Sequence, residues 1–394
     1  MSVVPLHLFR TNTMNRHSCR TAAAARSFAV LALLSLGLPL QAMENTFSGF
    51  GTVAAGRTFG GCVDGTAMAP SYSAHCTRYI ADWAHAGVYT PEWSASEESR
   101  IGLQWTGAFT DSLSATAQAV GRLNVGQKVG LEWAYLTYKI NPSWSVQLGR
   151  KRLPLYYYSD FQDIGYAYTS IRPSPDVYGW DVVNYNGGNV DYTTDVGDWS
   201  LRGSVFAGSE TSRKNAYTTL IYDELKDVKW DGIAGAWLEV NHDWFTARVS
   251  YTESIFQQID RATGEVDELY FGRFKGHQRF YGVALNADYD DWIARSEFAA
   301  ADRSTQGYKA KYFFVTVGHR IGDFTPAATL SAYLEKSTVP DYDGVRNRTA
   351  SFSLRYEVNK SSALKVQLDR DIDSSSVPYT GTAKAVAVSY DFVF

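Results

Sequence analysis

The chain has 394 residues, 37 basic and 41 acidic, with a formal net charge of −4 and a mean hydropathy of −0.24. Four of the basic residues (Arg10, Arg16, Arg20, Arg26) and none of the acidic ones precede residue 43, so the remainder carries −8, without the basic excess of a nucleic-acid binder. The composition is 14% aromatic, yet no apolar run after residue 42 is long enough for a membrane helix, so the remaining route into a bilayer is a β-barrel, whose lipid-facing residues alternate with polar ones.

In chain order, Arg16, Arg20 and Arg26 precede the apolar run FAVLALLSLGLPL, Phe28 to Leu40, and Leu40-Gln41-Ala42 offers a small residue at a cleavage point. A basic segment, an apolar segment too short to span a bilayer and a processing site make residues 1–42 a secretory signal peptide that is removed, and leave 43–394 as one domain. Cys19 departs with it. Cys62 and Cys76 remain in a Gly-, Ser- and Ala-rich segment and read as a loop disulfide in an exported chain, the alternatives being a metal pair or two free thiols.

Two-residue alternation between turn signals predicts sixteen strands: 47–57, 99–109, 113–123, 131–140, 144–153, 182–196, 199–210, 228–241, 244–255, 277–289, 292–302, 310–321, 324–337, 347–358, 363–372 and 382–394. Their connections alternate in length. Tight turns such as Asn141-Pro142-Ser143, Gly197-Asp198, His242-Asp243 and Gly322-Asp323 alternate with longer loops, among them 58–98, 154–181, 211–227 and 256–276. This is the pattern of an all-β, transmembrane antiparallel barrel with short periplasmic turns and long extracellular loops. Trp144, Trp199, Trp244, Trp292 and Phe324 each follow a short turn, where rings would sit at headgroup level.

A first strand FSGFGTVAAG, sixteen strands, a long third loop and a C-terminal aromatic make the chain resemble the trimeric porins of Gram-negative outer membranes along its whole mature length. The resemblance implies an outer-membrane location, a homotrimer, and a tail (Val388, Tyr390, Phe392, Phe394) read by the barrel assembly machinery. It also implies a third loop that folds inward and narrows the channel. Carried over by position, Asp160, Asp163 and Asp176 form the acidic side of the constriction and Arg100, Arg122 and Lys151 the basic side. The loop lacks the Pro-Glu-Phe-Gly-Gly type motif of general porins and is rich in tyrosine instead (Tyr156, Tyr157, Tyr158, Tyr166, Tyr168, Tyr178). Those rings read either as packing against the wall or as a stacking surface for sugars or aromatic compounds.

If the apolar sides of the strands face lipid, the opposite sides present Arg100, Arg122, Lys151, Arg202 and Arg248 to the lumen, with Arg295, Glu297, Arg355, Glu357, Lys365 and Asp369. Unpaired buried charges cost several kcal/mol each, so such a face is expected to be wet. The histidines lack ligand spacing and no GxSxG, HExxH or phosphate-loop pattern occurs, so no enzyme, metal or cofactor is expected. The functional expectation is a water-filled channel for passive diffusion of small hydrophilic solutes and ions, biased toward anions. The alternatives are a substrate-specific channel using loop three, and a plugged barrel acting as adhesin or receptor.

Overall fold

The computed structural model describes residues 44–59, 77–124, 129–222, 224–269, 272–340, 342–375 and 382–394. The expected signal peptide and the Cys62 and Cys76 pair lie outside the described residues. The strands are β1 (Glu44–Thr58), β2 (Tyr79–Asp82), β3 (Gly87–Tyr89), β4 (Arg100–Ala108), β5 (Leu113–Arg122), β6 (Val129–Lys139), β7 (Trp144–Arg152), β8 (Asn184–Val196) and β9 (Trp199–Asn215). They continue as β10 (Lys226–His242), β11 (Phe245–Ile259), β12 (Gly276–Tyr289), β13 (Trp292–Arg303), β14 (Tyr308–His319), β15 (Phe324–Ser337), β16 (Arg346–Asn359), β17 (Ser362–Asp373) and β18 (Thr382–Val393). β2 and β3 form a separate hairpin, and the other 16 close into one antiparallel barrel in which β1 pairs with β4 on one side and β18 on the other.

Closure follows from the solvent. Hydrocarbon offers no partner to a backbone N–H or C=O, so a spanning sheet can have no free edge. Side-chain alternation then sorts the two faces: Ile101 and Leu103 on β4, Leu364, Val366 and Leu368 on β17, and Val388 and Tyr390 on β18 are exposed on the outside, while Gln367, Asp369, Ser389 and Asp391 are buried inward. The left-handed backbone that a two-residue turn requires falls on Gly197 (φ 60°), Gly322 (φ 59°), Asp243 (φ 46°) and Asp290 (φ 51°), residue types that tolerate it. In the Asn141 turn the side-chain oxygen accepts the N–H groups of Ser143 and Trp144, both at 2.9 Å.

The short-turn end carries the aromatic girdle. Trp144 packs on Tyr192, Trp199 on His242, Trp292 on His319 and Phe324 on Tyr356, with ring centroids 4.5–4.8 Å apart. The chain end joins this belt: Tyr390, Phe392 and Phe394 stack in sequence, and Phe394 is 64% exposed on the lipid side. At the seam the rings lie flat over glycines of the neighbouring strand, so that a Cβ on Gly49 would come within 2.3 Å of the Phe394 ring and one on Gly51 within 2.4 Å of the Phe392 ring. A G51V substitution is therefore expected to lower the folded fraction, read as the heat-modifiable band on a gel, and F392A in the same chain should restore it. Additivity of the two substitutions would exclude the contact as the cause.

Two features escape the alternation pattern. The hairpin of β2 and β3 lies in the first long loop with Tyr79 and Tyr89 buried against Ile171, Ala385 and Ala387. Several barrel strands also run past the expected limits on the long-loop side, β9 to Asn215 and β11 to Ile259, where pairing continues although the sequence no longer alternates.

Candidate functional site: the loop inside the barrel

Residues 154–181 leave β7 and contact the inner wall almost all the way round. In the first half, Asp163 is the centre of an ionic cluster. Arg122 on β5 donates to Asp163 and to Glu132 on β6, each at 2.7 Å; Arg152 at the end of β7 also pairs with Asp163 and lies 3.3 Å from Glu132; Arg100 on β4 stands 3.8 Å away. Burial would raise the Asp163 pKa, but the guanidiniums of Arg122, Arg152 and Arg100 outweigh it and hold the carboxyl well below the usual carboxylate range. Three positive and two negative groups meet here, and each is largely desolvated, so the cluster is an anchor whose members cannot be removed singly without cost.

The middle of the loop is fixed on the opposite wall. Lys365 on β17 donates to the carbonyls of Gly165 (2.6 Å) and Ser170 (2.9 Å) and pairs with Asp391 on β18 at 3.2 Å. Arg355 on β16 donates to the carbonyl of Tyr168 at 2.7 Å, and Gln367 accepts the N–H of Ile171 at 2.8 Å. Gly165 is needed here for space: a Cβ would sit 2.0 Å from Asp391 Oδ1 and 2.5 Å from Thr52 Oγ1. Arg172 then pairs with Glu98 (2.8 Å) and Asp369 (3.2 Å) while its guanidinium lies over the rings of Tyr79 and Tyr89, which ties the first long loop to the third.

The second half and the start of the loop are held by apolar packing. Leu155, Tyr156, Tyr158, Tyr168, Val177, Tyr178 and Trp180 form one buried cluster with Phe206, Trp230, Phe256, Phe280, Tyr312 and Phe314 of the wall. A fully buried large apolar side chain contributes about 1.5–3 kcal/mol, so these residues outweigh the entropy of ordering the loop only because so many bury together. Asp176 accepts a 2.6 Å hydrogen bond from Ser331 on β15, burial pushing its pKa up against that bond and those from Thr349.

The sequence-derived site residues thus fall into two groups. Arg100, Arg122 and Asp163 come together directly, and Asp176 is buried in the second half of the loop away from them. Lys151 donates to Asn189 at 2.9 Å and to Gln147, within electrostatic reach of the exposed Asp160. Arg202 keeps a side chain 56% exposed beside Glu239 (3.9 Å), and Arg248, almost buried, reaches Glu239 at 4.0 Å while lying 4.2 Å over the Trp237 ring. Four of the six loop tyrosines (Tyr156, Tyr158, Tyr168, Tyr178) are buried, and Tyr157 and Tyr166 are half-buried. Glu132, Arg152 and Arg172 were not among the expected site residues.

Two comparisons find nothing: no family model and no curated protein matches the sequence. Solved structures do match. OmpF of Salmonella typhi shares 12% identity with a TM-score of 0.57, over 89% of this chain and 97% of that one. The outer-membrane channel DcaP of Acinetobacter baumannii gives 11% and 0.56 over 89% and 97%, and the anion-selective porin from Comamonas acidovorans 14% and 0.54 over 89% and 100%. The chain has the fold of the outer-membrane porins. A closed 16-stranded barrel with an apolar outer face is the form in which a sheet crosses a bilayer. At these identities the likeness speaks for architecture and not for the solute.

Proposed function

We propose that the chain is not an enzyme but a water-filled channel for passive diffusion of small hydrophilic solutes and ions, assembled as a homotrimer by the barrel assembly machinery, and narrowed by the loop of residues 154–181. The observation that carries this reading is the strip of wall beside the loop that keeps exposed or half-exposed charge: Arg202 and Lys151 on the barrel, with Asp160 on the loop within reach of Lys151. Opposed charges beside a narrow aqueous path set up a transverse field that orients dipoles and sorts ions. Arg122 and Asp163 compensate each other directly, so ion choice rests on the less committed groups, and Lys151 with Arg202 gives an anion bias. Buried tyrosines give the loop the packing role and leave little ring surface for stacking sugars.

Planar-bilayer conductance of the refolded protein in a salt gradient tests this. Steps in groups of three with an anion-sided reversal potential are expected, and K151Q/R202Q should move that potential toward zero. Cation preference would overturn the bias; silence from a well-folded barrel would overturn the channel and favour a plugged adhesin or receptor.

A further inference from the structure

On the outside of the barrel, toward the long loops, five neighbouring strands carry basic residues at outward positions. Lys336 on β15, Arg346 and Arg348 on β16, Arg370 on β17 and Lys384 on β18 are exposed, and Arg57 on β1 is half-buried. Strand register joins them into one stripe. Arg370 stands directly opposite Lys384, and Lys336 with Arg346, Arg348 with Arg370, and Lys384 with Arg57 are diagonal neighbours, within reach of long side chains. Its height follows from the chain: Lys384 lies ten residues before Phe394, and Arg346 ten before Tyr356 of the girdle. That is about 33 Å of strand and, at a tilt of about 40°, about 25 Å of height, the thickness of a barrel's apolar band. The stripe therefore sits at the headgroup level opposite the girdle.

What the stripe lacks shows what it would hold. On the strands before it, charge alternates along one register line: Glu253, Arg279, Asp302 and Lys309 face one another in turn across β11–β14, with Lys309 2.8 Å from Asp302 and Arg279 4.0 Å from Glu253. The line then meets Lys336 opposite Lys309, and the alternation stops. Among the described residues no ion pair joins any of the six stripe residues to a carboxylate. Like charges directly opposite on one face are destabilising, so Arg370 and Lys384 stand together at a cost that an anion between them removes. Below them Leu330, Phe352, Leu368 and Val388 present apolar surface, each 40–63% exposed. An occupant with an anionic end at the stripe and apolar length beneath it has the build of a phosphorylated lipid. Lys and Arg stems lie along apolar surface while their heads reach headgroup level, and guanidiniums grip phosphate oxygens two at a time. Glu253 and Asp302, which face outward on the same line, are engaged within the chain, so they give a second copy no acidic face to dock here.

We infer that the outer face of β15–β18 and β1 is a binding surface for a phosphorylated lipid of the long-loop-side leaflet, its phosphate held by Arg348, Arg370 and Lys384 and its chains laid on the apolar strip below. The inference rests on the membrane-spanning barrel and is independent of the channel reading.

The test is native mass spectrometry of the folded barrel in neutral detergent with added dioleoylphosphatidate, using dioleoylphosphatidylcholine as the zwitterionic counterpart, together with urea midpoints. Saturable binding of phosphatidate is expected, on the order of 100-fold tighter than phosphatidylcholine; R348Q, R370Q and K384Q should each weaken it by about 5-fold, and the triple variant should erase the difference between the lipids. The midpoints should move in opposite directions. Without lipid, K384Q should leave the midpoint unchanged or raise it, because a like-charge contact is gone, whereas phosphatidate should raise the wild-type midpoint and not that of the triple variant. R279Q, whose charge faces Asp302 and Glu253, should bind phosphatidate as the wild type does. The inference is overturned by equal affinity for the two lipids, by unchanged affinity in the triple variant shown folded by gel mobility, or by an equal loss in R279Q. Displacement of phosphatidate by inorganic phosphate at constant ionic strength would overturn it in favour of a free anion, and loss of the homotrimer in the lipid-free triple variant in favour of a subunit contact. A barrel that conducts without preferring phosphatidate fails only this inference; one that binds it without conducting fails only the channel reading.

Discussion

Replacing Asp163 with Asn is expected to lower the urea midpoint of the folded barrel and to raise its anion preference. Asp163 is the one loop carboxylate shared by Arg122 and Arg152, with Arg100 at 3.8 Å; without its charge Glu132 alone pairs with Arg122 and Arg152, and Arg100 loses its ion-pair partner. Removing one member of a buried ionic cluster costs about 3–5 kcal/mol, because the partners stay desolvated without compensation. The same group fixes the pH dependence. Its folded pKa lies below the ordinary carboxylate value, so its stabilisation is present above that ordinary value, near 3.9, and is lost as pH falls through the lower folded one. The wild-type urea midpoint should show that acid-side loss, and D163N should lack the part contributed by this residue. If D163N matches the wild type in midpoint and reversal potential, the cluster is neither an anchor nor part of the ion path.

The second large effect is expected from Gly165. Its backbone conformation is not the issue, since no positive φ occurs there; space is. A G165A methyl would collide with Asp391 and Thr52, which are themselves joined at 2.6 Å, and the loop would have to withdraw from Lys365. Overpacking alone costs about 1–3 kcal/mol, and separating Lys365 from the carbonyls of Gly165 and Ser170 adds to it. Open-channel conductance and current noise should both rise, because the middle of the loop is no longer seated on the wall. A variant with wild-type current steps would show that this contact does not set the aperture.

The sixteen barrel strands were legible because a bilayer enforces a two-residue period on every spanning segment and the short turns carry residues suited to left-handed backbone. The pairing of Arg100 and Arg122 with Asp163 was foreshadowed by resemblance alone. Glu132 was hidden by a local irregularity: Gln118 pairs with Trp133 and Ala119 with Leu131, so Glu132 sits in a β-bulge, and a strict count back from the exposed Tyr138 and Leu136 turns it outward. A bulge has no period to read. Arg172 was hidden for another reason, since its partners Glu98 and Asp369 stand 74 and 197 residues away, and nothing local marks a loop arginine as paired. The extended ends of β9 and β11 lie where lipid no longer imposes the pattern.

The way loop 154–181 is held has a mechanical consequence. It behaves as a beam clamped along its length: ions grip one part, backbone carbonyls the middle and interlocked rings the rest. Such a beam has no hinge, and bending it means unseating several grips together, so thermal flicker is confined to side chains such as Asp160 that project from it. On the channel reading proposed above, a loop held this way would act as a fixed sieve, and slow closures would fall to the outer connecting segments.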